Sequence, residues 1–310
     1  MSSTSKPRSQ ALVQIAGLYI LYYRDDHSFT YALKDPRAKE VSHEDIRPLW
    51  TNGDVRVAEA WALKGMGLFA LISMHFWEQL IDFEYIDVGA NYGMTTVALG
   101  GFYKRCGRNN RIYAFEPGEV FALLQETVRL NRLDDMTTCI RAALSDEAGE
   151  VEFHLTPAQS PASSLLSAAV QRAGIVETRS VTVEARRLDD FVSTIRYTAG
   201  LAVKIDAEGA DFKVLRGMPK IRATKHAVIQ IEFFPMLVDS YADPARELIE
   251  LAKQYVMIDV GDTTNTLIAN SEIPDFVARV RGKPVPSTDI LLIPYNLPAI
   301  KTLTTRILNN

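Results

Sequence analysis

From Phe83 onward, short β-rich runs and helical runs take turns along the chain, and this alternation constrains the fold more than any other feature. YIDVG (85–89) precedes a helical stretch to about Tyr103, RIYAFEP (111–117) precedes another to Asn131, and TTCIRAAL (137–144) follows. Strands separated by helices form βαβ units, which require a parallel sheet and right-handed crossovers. LAVKIDAEG (201–209) and HAVIQIEFF (226–234) resume the pattern, and YVMIDVGD (255–262) and STDILLIPY (287–295) read as the last two strands. The expected fold is α/β, a doubly wound, Rossmann-like, mostly parallel sheet.

Two regions break the rhythm. EVEFHL (150–155) and RSVTVEARRL (179–188) read as strands joined by the Ser/Pro/Ala-rich TPAQSPASSLLSAA (156–169), a β-rich insertion of a length that is usually functional. Residues 1–80 read as an N-terminal accessory region covering the sheet or the substrate site, and residues 81–300 as the main domain. Within the former, a short disordered tail with Lys6 and Arg8 precedes Ala11. LYILYYR and FTYALK flank Asp25-Asp26-His27-Ser28 like a hairpin, Ser42 is placed to cap a helix, and a longer helix is expected over Val55–Leu80. Asn131 is expected to end its helix as a left-handed residue.

The chain of 310 residues carries a formal net charge of -4, which argues against a general polyanion binder, so no nucleic-acid partner is expected. Its longest weakly charged stretch, Gly65–Trp77, falls short of the roughly 20 residues of a membrane span. Cys106 and Cys139 are the only cysteines and no apolar leader opens the chain, so free thiols and a cytoplasmic setting are expected.

Three motifs carry chemistry. In IDVGANYGMTT (86–96) a strand ends at Asp87, and Gly89 and Gly93 turn the chain into a helix at the carboxyl edge of the sheet, where such folds bind ligands. A dinucleotide fingerprint would need glycine at Asn91 and Met94, whose side chains crowd a pyrophosphate. A ligand without phosphate tolerates Asn91, and Asp87 is placed to face a positive group. Glu116 ends the next strand at the spacing of a ribose-hydroxyl acceptor, although it also suits a carboxylate before a proline turn. In AVKIDAEGADFKVLRG (202–217), Ala202, Lys204 and Asp206 share one strand face, as Gln230 and Glu232 do on the next strand. Polar residues ending adjacent buried strands suggest a site, or else a structural ion pair with a helix cap. Lys204 is expected to pair with Asp206, Glu208 or Glu232, because an unpaired buried lysine is costly. The histidines show no metal or triad spacing; His154 reads as exposed, and His226 as a candidate base.

IDVGANYGMTT, AFEP, LNRL, RAALSDEAGEVEF, SSLL, RLDDF and KIDAEGADFKVLRG, taken in order, resemble the FkbM family of S-adenosylmethionine-dependent methyltransferases. The likeness covers residues 86 to about 220. Ala207 stands where the family usually has Val, and Asp211 where it usually has Glu. The resemblance implies a sheet of the class I methyltransferase type, S-adenosylmethionine as cofactor, and O-methylation of a hydroxyl on a sugar, glycolipid or polyketide-type small molecule. It further implies that Asp87, Gly89, Asn91, Gly93 and Thr95 form the cofactor loop and that Glu116 with Pro117 meets the ribose. Ala142, Ala143 and Ser145 would lie beside the adenine, and Asp206 near the methyl group.

Asp206, Glu232 and Lys204 are accordingly the expected catalytic group, with no metal. The acceptor is expected under residues 155–180 together with part of the N-terminal region. Three alternatives stay open: a metal-dependent catechol-type O-methyltransferase, a nicotinamide-dependent oxidoreductase and a non-catalytic binding module. Against the first, Glu232-Phe233 lacks the second polar ligand expected there.

Overall fold

The computed structural model describes residues 8–15, 18–26, 39–41, 65–156, 163–167, 179–191, 199–261 and 264–310. In chain order the elements are β1 (Gln10–Ile15), β2 (Leu18–Tyr23), β3 (Lys39–Val41), α1 (Gly65–Glu78), β4 (Phe83–Val88), α2 (Met94–Arg105), β5 (Ile112–Phe115), α3 (Phe121–Leu130) and β6 (Thr137–Ile140). Next come β7 (Ala143–Leu144), β8 (Gly149–Leu155), β9 (Arg179–Arg186), β10 (Gly200–Ile205), α4 (Asp211–Arg216), α5 (Pro219–Thr224), β11 (His226–Phe233), α6 (Pro235–Val238) and α7 (Pro244–Ala252). β12 (Tyr255–Asp259), β13 (Thr266–Leu267), α8 (Ile273–Arg281), β14 (Thr288–Pro294) and α9 (Ile300–Leu308) complete the described chain.

The central sheet has eight strands in the order β13-β12-β14-β11-β10-β4-β5-β6. The run from β6 to β11 is parallel, and β14 enters antiparallel between β11 and β12. From β4 the chain winds outward through β5 and β6, then returns to β10 on the other side of β4. The order therefore reverses between β4 and β10, which makes the crevice at their carboxyl ends the place for a ligand. This is the α/β, doubly wound arrangement of the class I methyltransferase type.

Both faces of the sheet are covered. Ile86, Val203, Ile229 and Ile290 face one core, packed with Phe212, Leu248 and Phe276 of α4, α7 and α8. Tyr85, Ala202, Val228 and Leu291 face the other, packed with Phe69 and Ile72 of α1, Val97 of α2 and Leu303 of α9. Continuous apolar runs such as LAVKI are what strands buried on both sides demand. Residues of α1 thus share a core with β4 and β10, and α9 extends to Leu308.

β7, β8 and β9 form a separate small sheet, with β8 antiparallel to β9, as the insertion motif suggested. The N-terminal sheet runs β2-β1-β3. β2 pairs with β1, so the described hairpin uses Gln10–Ile15, and the first strand begins where a disordered tail was expected to end. FTYALK, the Ser42 cap and residues 55–64 lie outside the described residues.

Asn131 departs from expectation. Its φ is -88°, and the left-handed residue is its neighbour Arg132 at 53°. The Asn131 side chain instead reaches the open edge of β2: its Oδ1 accepts from Tyr19 N–H (3.0 Å), and its Nδ2 donates to Tyr19 O (2.6 Å). Leu21 N–H, two residues on, donates to Thr127 Oγ1 (3.1 Å). Helix side chains so satisfy alternate groups of an edge strand that would otherwise template aggregation.

Candidate active site

β4 delivers the chain into a turn with Gly89 at φ 74°, Asn91 at 50° and Gly93 at 85°. Two contacts make the glycines necessary. A Cβ on Gly89 would lie 1.9 Å from the carbonyl oxygen of Asp206, and one on Gly93 would lie 2.6 Å from Leu124 Cδ1. Asn91 is among the residues that tolerate the left-handed region. Its N–H donates to Glu116 Oε2 (2.9 Å), while Gly118 N–H donates to Glu116 Oε1 (2.7 Å). Glu116, 7% exposed, is thus held by two backbone donors, and each oxygen retains lone-pair capacity. Burial pushes its pKa up to about 7, against the pull of those two N–H groups and of Arg141.

A cavity of about 440 Å³ opens here. Gly89, Asn91, Thr95, Glu116, Pro117, Ala142, Ala143, Lys204 and Asp206 line it, so most of the expected site residues come together at the switch point. Tyr92, Met94, Phe115, Leu144, Phe153, Ser163, Leu165, Ala207 and Glu208 join them. Phe153, Ser163 and Leu165 bring the insertion to the cavity wall.

Three of the expected cofactor residues, Asp87, Ser145 and Gly93, lie off the cavity wall. Asp87 does not face the cavity. It is fully buried beneath the loop, where Oδ2 accepts from Thr96 Oγ1 (2.6 Å) and Oδ1 lies 3.9 Å from Lys204 Nζ. Burial raises its pKa even against Lys204 and Thr96. Ser145 turns inward as well: its N–H donates to Arg186 O (3.0 Å) and its Oγ to Asp146 Oδ1 (3.0 Å), so it ties the small sheet together rather than lining the wall. Gly93 serves the packing of α2 on α3 and lies behind the lining.

At the other end of the cavity stand the polar residues of β10 and β11. Lys204 is level with Asp87 on β4 and Gln230 on β11, and Glu232 is level with Asp289 on β14. Lys204 Nζ donates to Asp206 Oδ2 at 2.8 Å. Burial alone would lower the lysine pKa, but Asp206 and Asp87 outweigh it and hold the cation charged. Carboxylate oxygens of Asp206, Glu208 and Glu232 lie within 4.8 Å of one another. Glu232 does not itself line the cavity; its N–H donates to Asp211 Oδ1 (3.1 Å) and its Oε2 is buried without a hydrogen bond. Burial first, then the neighbouring carboxylates, push Glu208 and Glu232 well above the usual carboxylate range.

Glu208 is the residue that strand alternation could not find. It sits past β10 in a left-handed turn (φ 49°) followed by Gly209 (φ 90°). Ser164 Oγ of the insertion donates to Glu208 O (2.9 Å), and Tyr241 Oη donates to Gly209 O (2.7 Å). A bulky residue in such a turn costs of order 1–3 kcal/mol and persists where its surroundings over-determine it. Glu208 also supplies a third carboxylate, so the sequence argument against a metal, which rested on Phe233, loses its ground.

The remaining candidates fall elsewhere. His226 opens β11 at the edge of the sheet opposite the site, and His154 is half-buried, with Nδ1 3.0 Å from Ser180 Oγ. Cys106 and Cys139 are free. Among the described residues, no helix is long and apolar enough to cross a membrane.

No curated protein matches the chain. Among the solved structures that resemble it are an rRNA methylase from Streptococcus thermophilus, at 14% identity over 72% of this chain and 94% of that one, TM-score 0.36; a candidate rRNA methylase from Clostridium thermocellum, at 9% over 72% and 96%, TM-score 0.36; and a candidate O-methyltransferase from Klebsiella pneumoniae, at 12% over 79% and 92%, TM-score 0.35. The family model of the methyltransferase FkbM domain matches residues 87–255, more than half of the chain, from the loop that opens the cavity to the start of β12. The chain therefore belongs to the FkbM methyltransferase family.

Proposed function

We propose that the chain is an S-adenosylmethionine-dependent O-methyltransferase whose acceptor is a hydroxyl on a small molecule of sugar, glycolipid or polyketide type. The observation that carries this reading is the continuity of one cavity from Glu116 to Asp206. An acceptor for two ribose hydroxyls stands at one end and a group able to take a proton stands at the other. Ala142, Ala143, Leu144 and Phe153 supply an apolar slot of the kind a purine needs. Asn91 and Met94 line the cavity where a dinucleotide fingerprint has glycine, which favours a ligand without pyrophosphate over a nicotinamide cofactor.

The bound cofactor supplies an electrophilic methyl carbon on a positively charged sulfur. The residues of the chain do the rest. The loop and Glu116 would hold the donor with its methyl group toward the acceptor end of the cavity, and placement of this kind supplies much of the rate. With the donor held there, its methyl group would pass to the acceptor oxygen and its sulfur would leave neutral. The hydroxyl proton passes to the carboxylate group of Asp206, Glu208 and Glu232. Burial beside other carboxylates makes Glu208 and Glu232 readier proton acceptors than free carboxylates, and Lys204 fixes Asp206 in place. The carboxylates of the cavity lining, Glu116, Asp206 and Glu208, and the net charge of -4 disfavour a nucleic-acid acceptor.

A metal-assisted form of the same transfer is the second reading, favoured by the close approach of the three carboxylates. Turnover abolished by chelation and restored by magnesium selects it. For the principal reading, calorimetry with S-adenosylhomocysteine is the test: heat of binding is expected, and none from a folded sample at high ligand concentration overturns it.

A further inference from the structure

The cofactor loop leans on the N-terminal sheet. Tyr92, between left-handed Asn91 and Gly93, is 2% exposed, and its hydroxyl donates to Asp26 Oδ2 at 2.6 Å. Asp26 is itself fully buried, just past the end of β2. The apolar cluster of the N-terminal sheet contains Tyr92 with Leu12, Ile20 and Leu21, and Met94 packs against it. The sheet is anchored on α3 at its far end by Tyr19 with Asn131 and by Leu21 with Thr127, so it offers the loop a fixed wall.

Of the three left-handed residues in this five-residue turn, Gly89 and Gly93 adopt the region freely and only Asn91 bears a cost, so hydrogen bonds decide how firmly the turn is held. Two hooks on adjacent residues hold it from opposite sides: Asn91 N–H on Glu116, and Tyr92 Oη on Asp26. Releasing the second frees the first to drift.

We propose that the N-terminal sheet is a working part of the cofactor site, with Asp26 as a positioning residue that, through Tyr92, keeps the loop in its binding shape. The inference rests on the S-adenosylmethionine reading and assigns a task to a region whose residues suggested none. A short hydrogen bond from a neutral hydroxyl to a buried carboxylate is of the strong, charge-assisted kind.

The test is calorimetry with S-adenosylhomocysteine on the full chain, across pH, for Asp26→Asn, Tyr92→Phe and the pair together. Each single variant is expected to weaken binding roughly tenfold, the scale of one hydrogen bond to a charged group, and the pair no further, since both remove the same bond. A second readout separates positioning from mere stability. Glu116 is held down by the N–H groups of Asn91 and Gly118 and by Arg141, and pushed up by burial and by Asp87. Loss of the Asn91 bond raises its pKa, so the pH midpoint of binding should move upward in the variants. Gln14→Ala, which removes a bond to Tyr19 inside the same sheet (3.3 Å), should lower melting temperature without moving that midpoint. Folded variants with unchanged affinity and midpoint overturn the inference. If the unsubstituted chain binds nothing, the cofactor reading falls and takes the inference with it; wild-type binding with unaltered variants defeats the inference alone.

Discussion

Glu116 and Glu232 stand at or just past the carboxyl ends of strands, Glu116 on the cavity wall and Glu232 behind the opposite wall, beside Asp206 and Glu208, and they differ in their surroundings. Glu116 receives two backbone N–H groups, one per oxygen, from loops that the sheet edge holds still. Glu232 has an unbonded buried oxygen and shares its space with Asp206 and Glu208, whose nearest cation, Lys204, is engaged with Asp206. One half of the cavity is satisfied before any ligand arrives, while the other keeps charge in tension. A satisfied carboxylate recognises hydroxyls, whereas a crowded one readily takes up a proton or a cation. On the proposed function, binding and chemistry would be divided between the two sides of the switch point.

The division can be broken from either side. The largest effect is expected on the crowded half: Asp206→Asn and Glu232→Gln should each lower kcat by on the order of a hundredfold or more, the low end for loss of a general base, with S-adenosylhomocysteine affinity retained. Release of S-adenosylhomocysteine in the presence of a working acceptor measures it; full activity in both variants would make the group structural. Next in size, Glu116→Ala should weaken cofactor binding by roughly 10- to 100-fold, as loss of hydrogen bonds to a charged group does, without changing the protonation behaviour of the other half. An unaltered dissociation constant would reduce Glu116 to a turn residue.

A pH series sharpens the contrast. The folded pKa of Glu116 is raised above its ordinary value, so stability from this group is present below about pH 4.5 and is lost as pH rises through about 7. Ligand binding runs the opposite way, because ribose hydroxyls need the ionised form. Affinity should therefore improve roughly tenfold per pH unit below the midpoint near 7 and level off above it, and Glu116→Gln should flatten the curve. The smallest effect belongs to the rim. Glu119 joins Arg8 of the N-terminal segment to Arg179 of β9 (2.6 Å), but Arg179 is more than half exposed. Arg179→Ala should cost about 0–1 kcal/mol by thermal melting, and less at high salt.

Much of this was legible in the residues. Alternating runs such as YIDVG and LAVKIDAEG specify a parallel sheet because only strands buried on both faces need unbroken apolar stretches. The Lys204–Asp206 pair follows from the two-residue period of a strand. The spacing of Glu116 from the loop pointed to a residue that the structure sets on the cavity wall, bonded to Asn91 N–H. What stayed hidden depends on where backbone leaves regular structure or meets a distant segment. Glu208 reaches the carboxylates through a left-handed turn with no periodicity to read. The Tyr92–Asp26 bond joins residues far apart in sequence, and Asn131 looked like a helix stop because nothing local reveals the strand it serves. Asp87 and Ser145 turn away from the cavity, which their sequence neighbours do not reveal, since a turn residue faces inward or outward according to its tertiary partners.

The position of β14 has a consequence for the order in which the molecule can assemble. β4, β5, β6 and β10 are neighbours drawn from one continuous stretch of chain, so the cofactor half can form during synthesis as soon as Ile205 has been made. β11 and β12 cannot pair with each other in the finished sheet; each waits for Thr288–Pro294 to slot between them. Until then two apolar strand edges stand open, and the wall carrying Glu232 lacks its neighbour Asp289. A nascent chain halted between β12 and β14 is thus expected to hold a formed ligand loop beside an unfinished, aggregation-prone flank, and chaperone demand should concentrate in that window.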